Sequence, residues 1–250
     1  MNNEQVGISA EIAIADFFNV PISNSYRLRG IPRVAESFSD IIKQTFEDNN
    51  IPNPTKHVAE RQSDVDFLLE QNKTLSIKTN KQGLGKAAPQ RIGQASSKTW
   101  FSLVTPKLGI SVTPNTYQEK VRLFKSLVFS RIDELLAIYW QNMFDCDYLI
   151  QFYNVVDKND NLTLKPRAIV MRKHKSPYWD KSKIRFTKQS ILEWNESNTV
   201  KYGINGISIG EFQVHNNRDN FKFRFNMAGI ESVLMSGALS IDDSQKRDFT

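Results

Sequence analysis

Cysteine is almost absent from this sequence of 250 residues, which contains a single one, Cys146. Because Cys146 has no second cysteine to pair with, an intramolecular disulfide is excluded, and we expect a reducing, cytoplasmic location. The three histidines are scattered at positions 57, 174 and 215. Together with one cysteine they do not form the closely spaced ligand set of a structural zinc site.

Long apolar runs and two common catalytic motifs are also missing. The apolar segment LLAIYW at 135–140 is far shorter than the roughly 20 residues that span a bilayer, so we expect no membrane segment. The segment GLGK at 83–86 lacks the spacing and the Ser or Thr of a phosphate-binding loop. No nucleophile-elbow pattern occurs, which argues against a serine hydrolase.

What the sequence does have is an excess of positive charge. Lys and Arg total 33 against 27 Asp and Glu, which gives a net charge of +6 and a pI near 9.3. With 40% apolar and 24% charged residues, the composition is that of a globular protein. The basic balance favours polyanionic partners, nucleic acids above all.

Periodicity predicts helices that flank a mixed sheet. Apolar residues recur at helical spacing, with Ser9 as the first expected N-cap, and predict helices at 7–19, 33–50, 92–100 and 117–143. Alternating or short apolar runs predict strands at 64–70, 74–80, 147–156 and 162–173. A C-terminal β-ribbon is predicted over 206–217 and 220–229. We therefore expect an α/β fold, with α+β as the alternative, built on a mixed central β-sheet.

One predicted hairpin carries side chains that suit metal-dependent chemistry. In the strand at 74–80, Ser76 and Lys78 share one face because successive strand residues alternate. If this strand pairs with the preceding one, Asp66 lies beside them. A carboxylate binds a hard cation such as Mg²⁺, and a lysine can orient water or stabilise phosphate charge. Asp64, two residues before Asp66 and on the same face, is an alternative metal ligand.

The order of these residues resembles the motif of PD-(D/E)XK nucleases, in which an acid at a strand end precedes a hairpin and then (D/E)-x-K. The corresponding residues here are Asp66 and Ser76-Ile77-Lys78. Ser76 departs from the motif because it replaces the second acid and removes a metal-binding charge. The resemblance implies an Mg²⁺ site in which Asp66 is joined by Glu11 from the first predicted helix. Taken alone, Glu11 is also explained as an acid favoured by the helix dipole.

The segment that follows Lys78 narrows the resemblance to prokaryotic type II restriction endonucleases. In those enzymes the lysine strand runs into Thr-Asn, and a PQ-x-I-G-Q signature opens a helix. The matching positions are Lys78, Thr79, Asn80, Pro89, Gln90, Ile92, Gly93 and Gln94. The resemblance implies a restriction-endonuclease-like core and Mg²⁺-dependent hydrolysis of both strands of double-stranded DNA at a short specific site. It also implies a homodimer, with a monomer as the alternative, and a DNA methyltransferase as genetic partner.

Basic and amide side chains after the lysine strand and in the ribbon are candidates for DNA contacts. Phosphate contacts are expected from Lys81, Lys86, Arg91 and Lys98. The matched segment adds Asn80, Gln90 and Gln94. Base contacts are expected from the ribbon residues Gln213, His215, Asn216, Asn217 and Arg218. The alternatives are a solvated basic loop for the first set and an ordinary Asn-rich turn for the last.

We expect a single nuclease domain over residues 1–250, with DNA-recognition elements in 147–250. A weak domain boundary is indicated near 105–116, where the sequence is rich in Pro and Thr. Two other functions remain open. A repair or recombination nuclease would recognise DNA structure instead of sequence. A non-catalytic DNA-binding protein with a degenerate nuclease fold would account for the missing second acid at Ser76.

Overall fold

The computed structural model describes residues 1–61, 65–111, 114–163, 165–173, 175–215 and 218–239. Three residues with predicted roles, Asp64, Asn216 and Asn217, therefore lie outside the described residues. The chain divides into two compact units, a first one formed by Met1–Gly85 and Phe144–Lys173 and a second one formed by Lys86–Met143 and 175–239. The expectation of one nuclease domain over 1–250 stays a prediction.

The described residues form eight α-helices and eleven β-strands. The helices are α1 (Asn3–Phe17), α2 (Asn24–Arg27), α3 (Pro32–Glu36), α4 (Ser39–Asp48), α5 (Ser97–Val104), α6 (Tyr117–Ser130), α7 (Ile132–Met143) and α8 (Met227–Met235). The strands are β1 (Pro54–His57), β2 (Phe67–Leu69), β3 (Thr74–Thr79), β4 (Lys86–Ala87), β5 (Gln94–Ser96), β6 (Tyr148–Tyr153), β7 (Arg167–Arg172), β8 (Ile184–Phe186), β9 (Ser197–Tyr202), β10 (Ile207–His215) and β11 (Arg218–Asn226).

A mixed five-stranded sheet forms the centre of the first unit, in the order β1-β2-β3-β6-β7. Strands β3 and β6 run parallel, whereas the other neighbours are antiparallel. Helix α1 packs against β3, α3 and α4. The core between them buries Ile14, Leu75, Ile77 and Phe152. This mixed sheet with flanking helices confirms the predicted fold class.

The hairpin predicted around the candidate site is present. Strands β2 and β3 are antiparallel, with Phe67 opposite Leu75. Gln71 and Asn72 lie in the turn between them, and both have a left-handed backbone with φ of 57°. Strand β2 is shorter than the predicted 64–70, because only Phe67–Leu69 has strand geometry.

Two predicted helices of the first unit differ from the expectation at their ends. Helix α1 begins at Asn3, because Asn2 and Gln5 form a capping box, so the prediction of Ser9 as the N-cap was wrong. The Ser9 hydroxyl instead donates to the Gln5 carbonyl within the helix, at 2.7 Å. The helix predicted over 33–50 is two helices, α3 and α4, separated by a turn in which the Phe38 amide donates to the Ala35 carbonyl.

The second unit contains an antiparallel sheet in the order β4-β11-β10-β9-β8, with β5 also paired to β11. Strands β10 and β11 confirm the predicted C-terminal ribbon. One face of this ribbon is buried under aromatic side chains of the helices. Phe124 of α6 stacks on Phe221 with ring centroids 4.2 Å apart, and Tyr139 of α7 lies 4.4 Å from Phe223. Aromatic packing therefore holds the ribbon against α6 and α7.

The segment PQRIGQ folds as a tight turn, so the prediction that it opens a helix was wrong. The Gly93 amide donates to the Pro89 carbonyl at 3.1 Å, and Arg91 has a left-handed φ of 53°. A Cβ on Gly93 would lie only 2.4 Å from that carbonyl oxygen, which requires glycine there. Gln94 then enters β5, and the helix starts at Ser97.

The long helical region predicted over 117–143 is interrupted at Arg131. Helix α6 ends at Ser130, because Arg131 leaves helical geometry with φ −129° and ψ 34°, and α7 follows at once. None of the helices in the described ranges is long and apolar enough to cross a membrane.

Candidate active site

The side chain of Asp66 is fixed onto the neighbouring strand β3. The Asp66 amide donates to the Leu75 carbonyl, and its carbonyl accepts from Val58, both at 2.9 Å. Its carboxylate atom Oδ2 accepts a hydrogen bond of 2.6 Å from the Ile77 amide. Asp66 is therefore tied to β3 at the residue that precedes Lys78.

Asp66 interacts electrostatically with two other residues that the sequence singled out. Burial and then the neighbouring charge of Glu11 raise the pKa of Asp66 to about 6, against the lowering effects of Lys78, the Ile77 amide and His57. A like charge nearby disfavours ionisation and an opposite charge favours it. The structure thus brings together Asp66, Glu11 and Lys78 in the first unit.

Glu11 is held by two side chains that the sequence analysis did not select. It lies on α1 with only 8% of its surface exposed. Its Oε2 atom accepts from the Tyr26 hydroxyl at 2.6 Å and is 2.8 Å from His57 Nε2. Burial, followed by the Glu11 carboxylate, raises the pKa of Tyr26, so the phenol keeps its proton and remains a donor. Two hydrogen bonds to one oxygen restrict the position of the Glu11 carboxylate.

His57 lies at the end of β1, between two acids. Its Nε2 contacts Glu11, and its Nδ1 is 3.7 Å from Glu60 Oε1, too long for a hydrogen bond. The imidazole is buried, with 1% of the side chain exposed, and packs edge-on against the rings of Tyr26 and Phe67, at 4.7 and 5.0 Å. From the sequence, His57 was weighed only as a zinc ligand. No strand was predicted from the sequence over Pro54–His57, so no local signal pointed to His57.

Ser76, in the position of the usual second acid, is completely buried and makes no charged contribution. It forms hydrogen bonds with Cys146, whose thiol has a pKa raised to about 11 mainly by burial, although Lys78 and Ser76 lower it. The charge of Lys78 therefore lowers the pKa of both Cys146 and Asp66. Ser76 is therefore a buried polar residue that brings no charge to the site.

The two DNA-contact candidates at the end of β3 have partners within the first unit. Asn80 Oδ1 accepts from the Gly85 amide at 3.1 Å and from the Gln151 side chain. Lys81 Nζ forms an ion pair of 2.6 Å with Asp160. These contacts order the loop after β3, and a role of Asn80 and Lys81 in DNA binding stays a prediction.

The remaining DNA-contact candidates lie in the second unit. Lys86, Arg91, Gln94 and Lys98 are exposed, whereas Gln90 is half-buried. Lys86 forms an ion pair of 2.8 Å with Glu211. The ribbon candidates Gln213 and His215 lie on β10, and Arg218 begins β11. These positions are compatible with the predicted contacts and do not test them.

The carboxylates of Asp66 and Glu11 are suited to a cation that prefers oxygen ligands. Mg²⁺ in enzymes keeps several waters and is commonly bound by one or two carboxylates plus substrate phosphate. Asp66 and Glu11 supply two carboxylates whose mutual repulsion a cation would relieve. Within the described ranges, no group of three or more His, Cys, Asp or Glu side chains is arranged to hold a metal. The donor set therefore fits Mg²⁺ that is shared with water and phosphate, and does not fit a closed protein cage.

Comparison with known proteins gives one informative match. No family model matches the sequence, and no solved structure matches it. The chain is 30% identical over 166 residues to the type II restriction enzyme CviAII of Paramecium bursaria Chlorella virus 1. The chain is a distant homologue of a type II restriction enzyme. The match covers 66% of this chain but 42% of that enzyme, so the chain spans less than half the length of its relative.

Proposed function

We propose that this protein is a type II restriction endonuclease of the PD-(D/E)XK kind, which hydrolyses phosphodiester bonds in both strands of a short specific DNA site. The observation that carries the proposal is the position of Asp66, hydrogen-bonded to the Ile77 amide and interacting with both Lys78 and Glu11. The distant similarity to a type II restriction enzyme supports the same activity.

In this proposal, Asp66 and Glu11 hold Mg²⁺, and Asp64 is the alternative to Asp66 as the metal ligand. When bound, the metal supplies positive charge at the scissile phosphate and lowers the pKa of attacking water. The Lys78 ammonium orients the attacking water and stabilises negative charge on the phosphate. Because Ser76 brings no charge, Glu11 takes the place of the second acid.

Tyr26 and His57 hold the Glu11 carboxylate in one orientation. Both donate to the same oxygen, Oε2, and leave Oε1 for other ligands. Residues that orient a metal ligand in this way change metal affinity when they are removed. We assign them a positioning role.

The proposal includes partners that follow from site-specific cutting. A palindromic DNA site is read by a two-fold dimer, so we propose a homodimer. A DNA methyltransferase that protects the host site is the proposed genetic partner, and the cytoplasm is the proposed location.

Cleavage of plasmid DNA with Mg²⁺ tests the function. The wild-type protein is expected to give discrete bands, and Lys78→Ala is expected to lose cleavage by at least roughly a hundredfold while it still binds DNA. Lys56→Ala, at an exposed position on β1, is the matched control and should cut normally. Retained cleavage in Lys78→Ala would remove Lys78 from the chemistry.

The same experiment separates the other two functions. A smear, or cleavage only at junctions, would indicate a repair or recombination nuclease. Binding without Mg²⁺-dependent cutting would indicate a non-catalytic DNA-binding protein, the possibility that the uncharged and buried Ser76 favours.

A further inference from the structure

The β10–β11 ribbon has two chemically opposite faces. On one face Phe212, Phe221, Phe223 and Phe225 are buried. The other face, here called the basic face, is formed by Gln213, His215, Arg218, Asn220, Lys222 and Arg224. The register places Gln213 opposite Lys222 and His215 opposite Arg218. Packing of the phenylalanines accounts for the first face but not for the cations on the second.

Positive charge is concentrated on the basic face. Arg218, Lys222 and Arg224 occupy alternate positions of one strand, so their side chains leave the same side of the sheet. Burial, followed by Arg224 and Arg218, lowers the pKa of Lys222. Burial, then Lys222 and Arg218, also lowers the pKa of His215, although Glu196 acts in the opposite direction. Three cations of one strand therefore lie on the same side of the ribbon.

Glu211, which lies opposite Arg224 and borders the basic face, does not neutralise all of its charge. Glu211 accepts from Lys86 at 2.8 Å and from Arg224 at 3.2 Å, and Gln213 also donates to it. Arg218 and Lys222 form no ion pair with any residue in the described ranges. Two cations of the face are therefore without a counter-charge within this part of the chain.

Polar atoms on the same face also lack partners. His215 Nε2, Asn220 Oδ1 and Arg224 Nε are buried and make no hydrogen bond with the described part of the protein. A buried polar group without a partner costs about 1–3 kcal/mol. These three atoms are polar groups of the ribbon that packing within the described residues does not satisfy.

We propose that the basic face binds the phosphodiester backbone of duplex DNA, with Arg218 and Lys222 as the phosphate-contacting cations. The inference rests on the proposed endonuclease function and assigns backbone contact to a strand face, beyond the base contacts predicted for the ribbon. A row of cations neutralises phosphates regardless of sequence, whereas base readout needs a particular donor and acceptor pattern.

The test is binding of the full chain to 30-base-pair duplexes, measured by fluorescence anisotropy with a chelator present and at several salt concentrations. Arg218→Gln/Lys222→Gln removes two charges without breaking an ion pair. The control Lys107→Gln/Lys188→Gln removes two charges at exposed positions elsewhere in the second unit. Thermal melting checks folding, and the charge-preserving variant Arg218→Lys/Lys222→Arg checks that charge is the decisive property.

We expect the first variant to bind at least roughly tenfold more weakly, by the same factor on duplexes of unrelated sequence. The slope of log K against log salt should become less steep by about 2, because each lost phosphate contact removes about 0.9. The control and the charge-preserving variant should bind nearly as the wild type. Equal binding by the first variant and the control would overturn the proposal, as would a loss confined to one DNA sequence.

The outcomes for the surface and for the enzyme can be told apart. If the wild type cuts plasmid DNA with Mg²⁺ but Arg218→Gln/Lys222→Gln binds like the control, the surface assignment fails and the function stands. If the salt slope changes as expected but the wild type does not cut plasmid DNA, the surface stands and the endonuclease function fails. Absence of duplex binding by the wild type overturns the surface.

Discussion

His57 Nε2 lies 2.8 Å from Glu11 Oε2, a contact that joins β1 to α1 across 46 positions of sequence. The Tyr26 hydroxyl reaches the same oxygen from α2, at 2.6 Å. Two separate segments thus converge on the carboxylate of a third. Such convergence restricts the carboxylate far more than a single hydrogen bond would, and it explains why an acid is tolerated in a position that is 8% exposed.

Tyr26→Phe is expected to weaken Mg²⁺ binding by roughly tenfold, because the Glu11 carboxylate loses one of the donors that orient it. Calorimetric titration with Mg²⁺ measures this directly, and the Mg²⁺ concentration for half-maximal cleavage should rise in parallel. DNA binding in the presence of a chelator should not change.

Tyr178→Phe is the control for that variant, since the Tyr178 side chain is 84% exposed. It should leave both Mg²⁺ binding and cleavage unchanged. Wild-type Mg²⁺ affinity in Tyr26→Phe would contradict the positioning role of the tyrosine hydroxyl.

The β2–β3 hairpin could be predicted from the sequence because the residue patterns that specify it are local. Alternation in 74–80 and polar turn residues determine β2, β3 and the left-handed turn at Gln71 and Asn72. The pairing of that hairpin brings Asp66 to Lys78, so two of the candidate residues follow from a stretch of fewer than twenty residues.

The supporting residues could not be predicted in the same way. Tyr26 and His57 contact Glu11 from separate segments of the chain. The residue pattern within each segment does not predict a contact with another segment, because tertiary contacts of this kind leave no periodic signal. The breaks after α3 and after α6 were missed for a related reason, since apolar periodicity continues across Ser37 and Arg131 while the backbone turns.

Asp147 fixes the parallel pairing of β3 with β6, and its removal should reduce stability in a pH-dependent way. Its carboxylate accepts from the Thr74 amide at 3.0 Å, from the Thr74 hydroxyl at 2.9 Å and from Lys73 at 3.3 Å. Burial acts to raise the pKa of Asp147, but these hydrogen bonds outweigh it and hold the pKa below the usual 3.8.

A depressed pKa stabilises the fold above the unfolded-state pKa, and the stabilisation is lost as the pH falls through the folded-state value. Asp147→Asn should therefore unfold at lower urea concentration than the wild type at pH 7, with a loss of about 1–3 kcal/mol. At a pH below the folded-state pKa the two proteins should converge. Asp145→Asn, at an exposed position, is the control and should match the wild type throughout. A difference that persists unchanged in acid would show that the charge of Asp147 is not responsible.

Gly93 decides the geometry of the segment that resembles the restriction-enzyme signature. A Cβ at this position would lie 2.4 Å from the Pro89 carbonyl oxygen and 2.7 Å from the Pro89 nitrogen, both backbone atoms that cannot move independently. Gly93→Ala should therefore destabilise the protein by roughly 2–4 kcal/mol through displacement of the turn. Thermal or urea unfolding measures the loss.

Gly83→Ala is the matched control for the turn, because a Cβ there meets no atom within 4 Å and its backbone is not left-handed. It should leave stability unchanged or raise it slightly, since alanine lowers the entropy of the unfolded chain. Since β5 follows Gly93 directly and pairs with Asn220–Lys222 of β11, displacement of the turn should also weaken DNA binding through the basic face. If Gly93→Ala were as stable as Gly83→Ala, the close approach of Pro89 would not be the reason that position 93 requires glycine.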